Sequence, residues 1–314
     1  MGRFIAVRLM QAVPVILLAS AAVWLMAYLI PGDPALVLLG PDASQEQLAL
    51  ARRRMGLDQP IPNQYAIWLG RVLQGDLGVS YLNGVPVRDL LLRQIVVSLH
   101  LAVPTMLLAP TIAIPLGIMS AIWPRAWGSR AISLFNAFAM AVPGFWLGIL
   151  LVLFFGLQLK WLPTSGYVPI WEDPARSLRL LVLPTLTLSA YVIGILSRFT
   201  QAAVVDVLHE EYIRTARAKG LSQRVVIGRH ILRNALVTVV TIVGLQFGTI
   251  MGGAVITESI FDYPGIGRML VNAIFQRDYA LIQGTILFVV VVFVLINLIT
   301  DLAYAYLDPR IRYS

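Results

Sequence analysis

Asp206 to Asn234 reads DVLHEEYIRTARAKGLSQRVVIGRHILRN, one of the few long stretches of this chain that water can wet. It lies between two segments too apolar to face solvent. Val205, Leu208, Tyr212 and Ala216 recur at steps of three and four, the period of one helix face. Glu210, Glu211, Arg214 and Arg217 fall mostly on other faces. Arg217 and Lys219 would occupy the last turn, where cations oppose the negative end of the helix dipole, and Gly220 suits the left-handed position that ends a helix. Ser222 is placed to cap a second helix running through Arg233. The pattern predicts two short amphipathic helices hinged at a glycine on one side of a membrane. Spacing alone leaves two readings open, a solvated linker or a docking surface for a soluble partner.

The rest of the chain supplies the membrane. A soluble domain is close to half apolar and about a quarter charged. These 314 residues are 58% hydrophobic and 13% charged, with a mean hydropathy of +0.79. No water-soluble core can hide that much apolar surface. The net charge of +8 does not point to nucleic acid, because the basic residues cluster beside apolar segments. Cysteine is absent, which excludes disulfides and thiolate metal sites.

Six windows lack Asp, Glu, Lys and Arg: 9–32, 94–124, 131–159, 180–197, 234–257 and 279–300. Each approaches the ~20 residues that cross a bilayer core. The shortest is flanked by Arg179 and Arg198, which can snorkel to the interfaces. The expected fold is an all-α integral membrane protein with six transmembrane helices. Ala19-Ser20-Ala21 resembles a signal-peptide cleavage site, but the apolar run continues to Ile30, so the first window is expected to stay as a helix.

Orientation follows from basic residues in short loops. With the N-terminus inside, the inner side carries thirteen Lys and Arg, and the short outer loops carry five: Lys160, Arg176, Arg179, Arg268 and Arg277. Both termini and the 206–234 stretch are expected inside. The long segment 33–93 lies outside, its six arginines balanced by six acids. Gln45 to Met55 looks helical, and Trp68, Leu69, Val72 and Leu73 offer an apolar patch, so a small subdomain is expected there. The organisation is thus 1–32, segment and first helix; 33–93, outer subdomain; 94–305, a five-helix core containing the 206–234 loop; and 306–314, a tail.

Prolines 104, 110, 115, 143 and 184 sit inside windows, where kinking for packing is the plain reading. The fifth window holds Gly244, Gly248 and Gly252 at intervals of four, which permits close helix approach. It also carries Thr241, Gln246 and Thr249, which could line a wet path or bond to neighbouring helices. This helix is expected near the central axis of a complex.

Some chemistry is missing. No phosphate cradle of the G-x-x-x-x-G-K-[ST] type occurs; after Gly70 and Gly75 come Asp76 and Leu77. His100, His209 and His230 are scattered singly, which speaks against zinc. No window buries an ionisable group, which weakens an ion-coupled carrier.

Thr215 to Leu236, TARAKGLSQRVVIGRHILRNAL, resembles the EAA-loop region of ABC import permeases in the form of the dipeptide/oligopeptide/nickel family. Arg214 stands in place of the general pattern's glutamate and Arg233 in place of its proline, while the glycine is kept as Gly220. Further segments resemble the same family in order: Pro31-Gly32-Asp33-Pro34; Gln64-Tyr65 and Gly75-Asp76-Leu77-Gly78-Val79-Ser80; Glu258-Ser259-Ile260-Phe261 and Pro264-Gly265-Ile266-Gly267; Arg277-Asp278-Tyr279; and Asp308-Pro309-Arg310-Ile311-Arg312. The likeness covers essentially the whole chain and is best to the "B" type of permease.

That resemblance implies a type I importer in a bacterial inner membrane. The chain would form half of a pathway for short peptides with a "C"-type permease. Two cytoplasmic ATPases carrying ATP and Mg would bind beneath, and an extracytoplasmic binding protein would deliver the substrate. The chain itself would hold no cofactor and catalyse nothing. Coupling would run through Leu208, Glu210, Glu211, Tyr212, Arg214, Thr215, Ala216, Arg217, Ala218, Lys219 and Gly220. Within the class, nickel chelates, glutathione or other small solutes are alternative cargoes. An ion-coupled carrier working alone, or an exporter domain, are readings from other classes.

Overall fold

The computed structural model describes residues 2–29 and 34–307, and among them every regular element is a helix. The Pro31-Gly32-Asp33 segment and the Asp308 to Arg312 segment lie outside the described residues. Helix α1 (Gly2–Leu29) is followed by three short helices, α2 (Pro34–Leu39), α3 (Gln45–Met55) and α4 (Ile61–Leu73). Next come α5 (Val87–Ile122), α6 (Trp127–Ala141), α7 (Gly144–Leu151) and α8 (Pro174–Leu208). After α9 (Glu211–Ala218), α10 (Gln223–Val225) runs through a π-helical stretch, Val226–Ile231, into α11 (Leu232–Gly253). The chain continues with α12 (Val255–Ile260), α13 (Ile266–Phe275) and α14 (Tyr279–Leu307).

Five of these helices are long and apolar enough to cross a membrane: Ile5–Met26, Val87–Ile122, Pro174–Leu208, Gln223–Gly252 and Tyr279–Ala303. The third expected window is different. It splits into α6 and a helix running from Gly144 to Gln158, bent by 100°. Pro143 has no N–H to donate and disfavours helical backbone before it, and Val142 accordingly sits at φ −76°, ψ 124°. Counting the bent pair as one crossing gives six. Pro104, Pro110 and Pro115 stay inside α5, and Pro184 inside α8, as kink positions that do not break the helix.

In lipid, helices hold together through close packing rather than water exclusion, so small residues mark the contacts. α5 lies along α8 with Ala102, Ala109 and Ala113 facing Val192, Ile193 and Leu196, and Ile250 and Met251 of α11 close the cluster. At Gly117 a Cβ would stand 2.6 Å from the Ser197 carbonyl oxygen, so only glycine permits that approach. Gly194 meets the backbone of Asn136 on α6 in the same way, and the Asn136 amide donates to Ser197 Oγ at 2.9 Å.

Helix direction sorts the loops onto two ends. α11 and α14 run antiparallel, and Arg8 of α1 pairs with Asp301 of α14 at 3.2 Å. The start of α1 and the close of α14 therefore lie at the end that carries α9. α2, α3 and α4 lie at the opposite end. α3 coincides with its expected range and opens on a capping box, with Ser44 and Gln47 exchanging side-chain and backbone hydrogen bonds. The patch on α4 does not close into a core. None of its residues is buried, and it leans on α1 through Tyr65, whose hydroxyl meets Ser20 Oγ at 2.8 Å and whose ring lies edge-on to Trp24.

Candidate functional site

The loop between α8 and α11 is built from its backbone outward. α8 stops at Leu208, and His209 turns a ring nitrogen onto the Val205 carbonyl at 2.8 Å. After Glu210 the chain restarts as α9. Leu208 thus belongs to α8 and not to the short helix, so the stripe Leu208–Tyr212–Ala216 is not one continuous face. The buried positions of α9 are Ile213 and Ala216. They pack with Ala121 of α5, Ala203 and Val204 of α8, and Val226, Ile231 and Ala235 at the start of the fifth span. Ala216 therefore faces the chain's own helices.

The solvent side of α9 carries Glu211, Tyr212, Arg214, Thr215, Arg217 and Ala218, with Glu210, Lys219 and Gly220 exposed at its ends. Among the described residues Arg214, Arg217 and Lys219 form no ion pair. Tyr212 accepts a hydrogen bond from Asn234 Nδ2 at 2.9 Å, which ties α9 to α11. The helix closes as the sequence predicts. Gly220 sits at φ +76°, its N–H bonds to the Arg217 carbonyl, and the Leu221 N–H reaches back to Ala216 at 3.3 Å. This is the Schellman arrangement, with glycine in the position where a Cβ is penalised.

The second helix differs from its expected form. Ser222 precedes it with extended backbone, but the hydroxyl makes no capping bond. The helix does not end at Arg233; it runs on as the membrane span. Val226 and Ile231 are apolar and buried on the inner face, so nothing in the sequence terminates it there.

The glycine stripe of α11 faces the last helix of the same chain. A Cβ on Gly244 would meet Thr300 Oγ1 at 1.9 Å, one on Gly248 would meet Phe293 at 2.6 Å, and one on Gly252 would meet Val289 at 3.4 Å. Thr241 and Thr249 return their hydroxyls to Val237 and Leu245 carbonyls, which satisfies them within the helix. Gln246 is buried. Leu245 and Thr249 are exposed on another side of α11.

At the far end, segments that the sequence offered only as family likeness acquire physical roles. Glu258 is 1% exposed and caps α13 from within. One carboxylate oxygen accepts the Arg268 N–H at 2.8 Å, the other accepts Ser98 Oγ–H at 3.0 Å, and Ser98 Oγ in turn accepts the Ile266 N–H. An acidic group on the free N–H groups of a helix start is favoured by both hydrogen bonding and the dipole. Gly265 and Gly267 leave the room, since a Cβ on Gly265 would fall 2.0 Å from the carboxylate. Arg268 also pairs with Asp262.

A second clasp joins residues far apart in sequence. Ser80 Oγ donates to Asp278 at 2.5 Å, and Asp278 also accepts the Leu281 N–H, capping α14. The turn carrying Ser80 is shaped by Gly75 and Gly78 at positive φ and by the Asp76 carboxylate on the Gly78 N–H. Burial, with Asp278 and Tyr279 nearby, pushes the Tyr81 phenol up to about 12. His100, on α5, bridges Tyr263 Oη at 2.9 Å and Ser177 Oγ at 3.1 Å. Sequence reading missed it because the partners come from three different elements.

These features define a multi-pass helical membrane protein whose longest helices are gathered, at one end, onto a short exposed helix. Residues 113–313 match the family described as the binding-protein-dependent transport system inner membrane component, and residues 1–102 match the N-terminal family of the same systems. The chain belongs to this family of ABC importer permeases. It is 40% identical over 313 residues to a probable peptide ABC transporter permease protein, y4tP, of Sinorhizobium fredii, with all of both chains covered. It is also 40% identical over 314 residues to the glutathione transport system permease protein GsiC of Escherichia coli, again over the full length of both. In fold it is similar to the MetNI methionine ABC transporter in inward-facing conformation, with a TM-score of 0.56 at 15% identity, over 70% of this chain and 96% of that one. A permease of this family is a transport subunit and not itself an enzyme, and it works with ATPase and substrate-binding partners. This membership replaces the lone-carrier and exporter readings.

Proposed function

We propose that this chain forms one half of an inner-membrane pathway for short peptides, paired with a related "C"-type permease and driven by two cytoplasmic ATPases through α9. The observation that carries the reading is the mounting of α9. Its inner face is locked to the ends of α5, α8 and the fifth span, while its outer face presents Arg214, Arg217 and Lys219 without ionic partners among the described residues. A groove with an acidic rim on an ATPase would bind that face. Because Ile213 and Ala216 pack against three spans at once, a shift of α9 moves their ends together, a rigid-body transmission suited to alternating access. On this reading α9 and both termini are cytoplasmic, and α2–α4 face the binding protein.

A peptide cargo is supported by the relative from S. fredii, and glutathione, itself a tripeptide, by the relative from E. coli. The test is reconstitution. The paired permeases with their ATPases and binding protein should take up a labelled di- or tripeptide only with ATP, and the double variant Arg214→Glu, Arg217→Glu should retain membrane insertion while losing uptake and ATPase capture. Full uptake by that variant, or uptake by the single chain alone, would overturn the proposal.

A further inference from the structure

A cavity of about 500 Å³ opens at the end away from α9, between α4, the turn carrying Ser80 and the two spanning helices α1 and α14. Trp24 of α1, Ile67, Trp68 and Arg71 of α4, Tyr81 and Gln283 of α14 are among its walls. The cavity sits at a defined depth. Trp24 lies near the close of the apolar run Ile5–Met26, and Gln283 lies in the second turn of the span that opens at Tyr279. That is the boundary between hydrocarbon and head groups, where Trp and Tyr gather in membrane proteins.

Three observations identify what fills it. α4 buries none of its residues: Gln64, Ile67, Trp68 and Arg71 line the cavity at helical spacing, while Ile61 and Leu73, on other sides of the helix, are 46% and 79% exposed, as in a helix that lies in the membrane interface. Arg71 stands at the cavity with no ion pair among the described residues, at the level of lipid phosphates. The one carboxylate on the walls, Asp76, is turned onto the Gly78 N–H, and Tyr81 is a neutral phenol at physiological pH. The walls are therefore mainly apolar, with polar groups from residues such as Gln64 and Gln283, and carry one cation, Arg71, that no described carboxylate pairs.

We propose that this cavity is a phospholipid site: an acyl chain of the adjacent leaflet enters between Trp24 and Trp68, and its phosphate rests on Arg71. The lipid holds α4 against α1, where the direct protein contact is thin. The inference needs only the membrane-spanning fold and does not depend on the cargo. It is tested on the whole transporter complex, purified in mild detergent and examined by native mass spectrometry, with phosphatidylglycerol added back after delipidation. Wild type should retain one phospholipid per copy of this chain. Ile67→Trp, which fills the space, and Arg71→Gln should each lower retention about tenfold while the complex keeps its subunits. Should a variant fail to assemble, wild-type complex grown with a photoactivatable fatty acid decides, with lipid cross-links expected in the α4 peptide. Retention unchanged in Ile67→Trp, cross-links confined to other helices, or a cysteine at 67 joining to another subunit would overturn the site.

Discussion

Glycines separate structural from functional positions at the scale of single residues. Gly265 faces the Glu258 carboxylate, so Gly265→Ala must displace the group that caps α13. The expected cost is on the order of 1–3 kcal/mol, typical of overpacking a filled site. A thermal melt of the purified complex checks it, and an unchanged melting temperature would remove Glu258 from its role. Gly220 has open space around it, and only its backbone angle matters. Gly220→Ala should therefore cost about 1 kcal/mol and keep most transport, since a left-handed alanine is penalised but fits. Gly220→Pro loses the N–H bond to Arg217 and cannot reach φ +76°. It should let ATP hydrolysis continue without uptake, read as the ratio of the two rates. Glycine and its place after Arg217 and Lys219 were legible in sequence. The Glu258 capping was not, because Ser98, its other partner, lies 160 residues away.

At the scale of elements, α9 and α11 each present two faces that periodicity alone could not assign. Ala216 was placed on the contact stripe by its spacing, yet it is 6% exposed and points inward. Ala216→Arg thus reports on the loop's own packing, while Ala218→Glu alters only the outer face. The first should lower yield and stability; the second should leave both unchanged and weaken ATPase co-purification. Equal effects would mean that α9 is rotated from this arrangement. On α11 a gradient is expected along the glycine stripe. Gly244→Ala and Gly248→Ala should destabilise the complex, because rigid Thr300 and bulky Phe293 stand in the way, whereas Gly252→Ala should be close to neutral. A flat response would place α14 elsewhere. Small residues every four positions announce a helix contact, but they do not say with which helix.

For the whole molecule the expectation concerns sidedness. The native chain has no cysteine, so single replacements can be read without background. A cysteine at Arg217 should resist an impermeant thiol reagent in intact cells, and one at Gln59 should react; the reverse would invert the topology. The six apolar windows, their order and the place of the exposed loop were readable directly, because a bilayer imposes length and apolarity on any crossing segment. So was the family, through short motifs in sequence. Whether Pro143 would kink or break its helix was not readable, since Pro104, Pro110 and Pro115 sit in comparable company and stay helical. The clasp between Ser80 and Asp278 was equally hidden, for it joins residues 198 positions apart. Local composition and spacing determine which stretches enter lipid and, at Gly220, where a helix turns back. Which face of each helix meets which neighbour depends on packing between distant segments, and only the tertiary structure decides that.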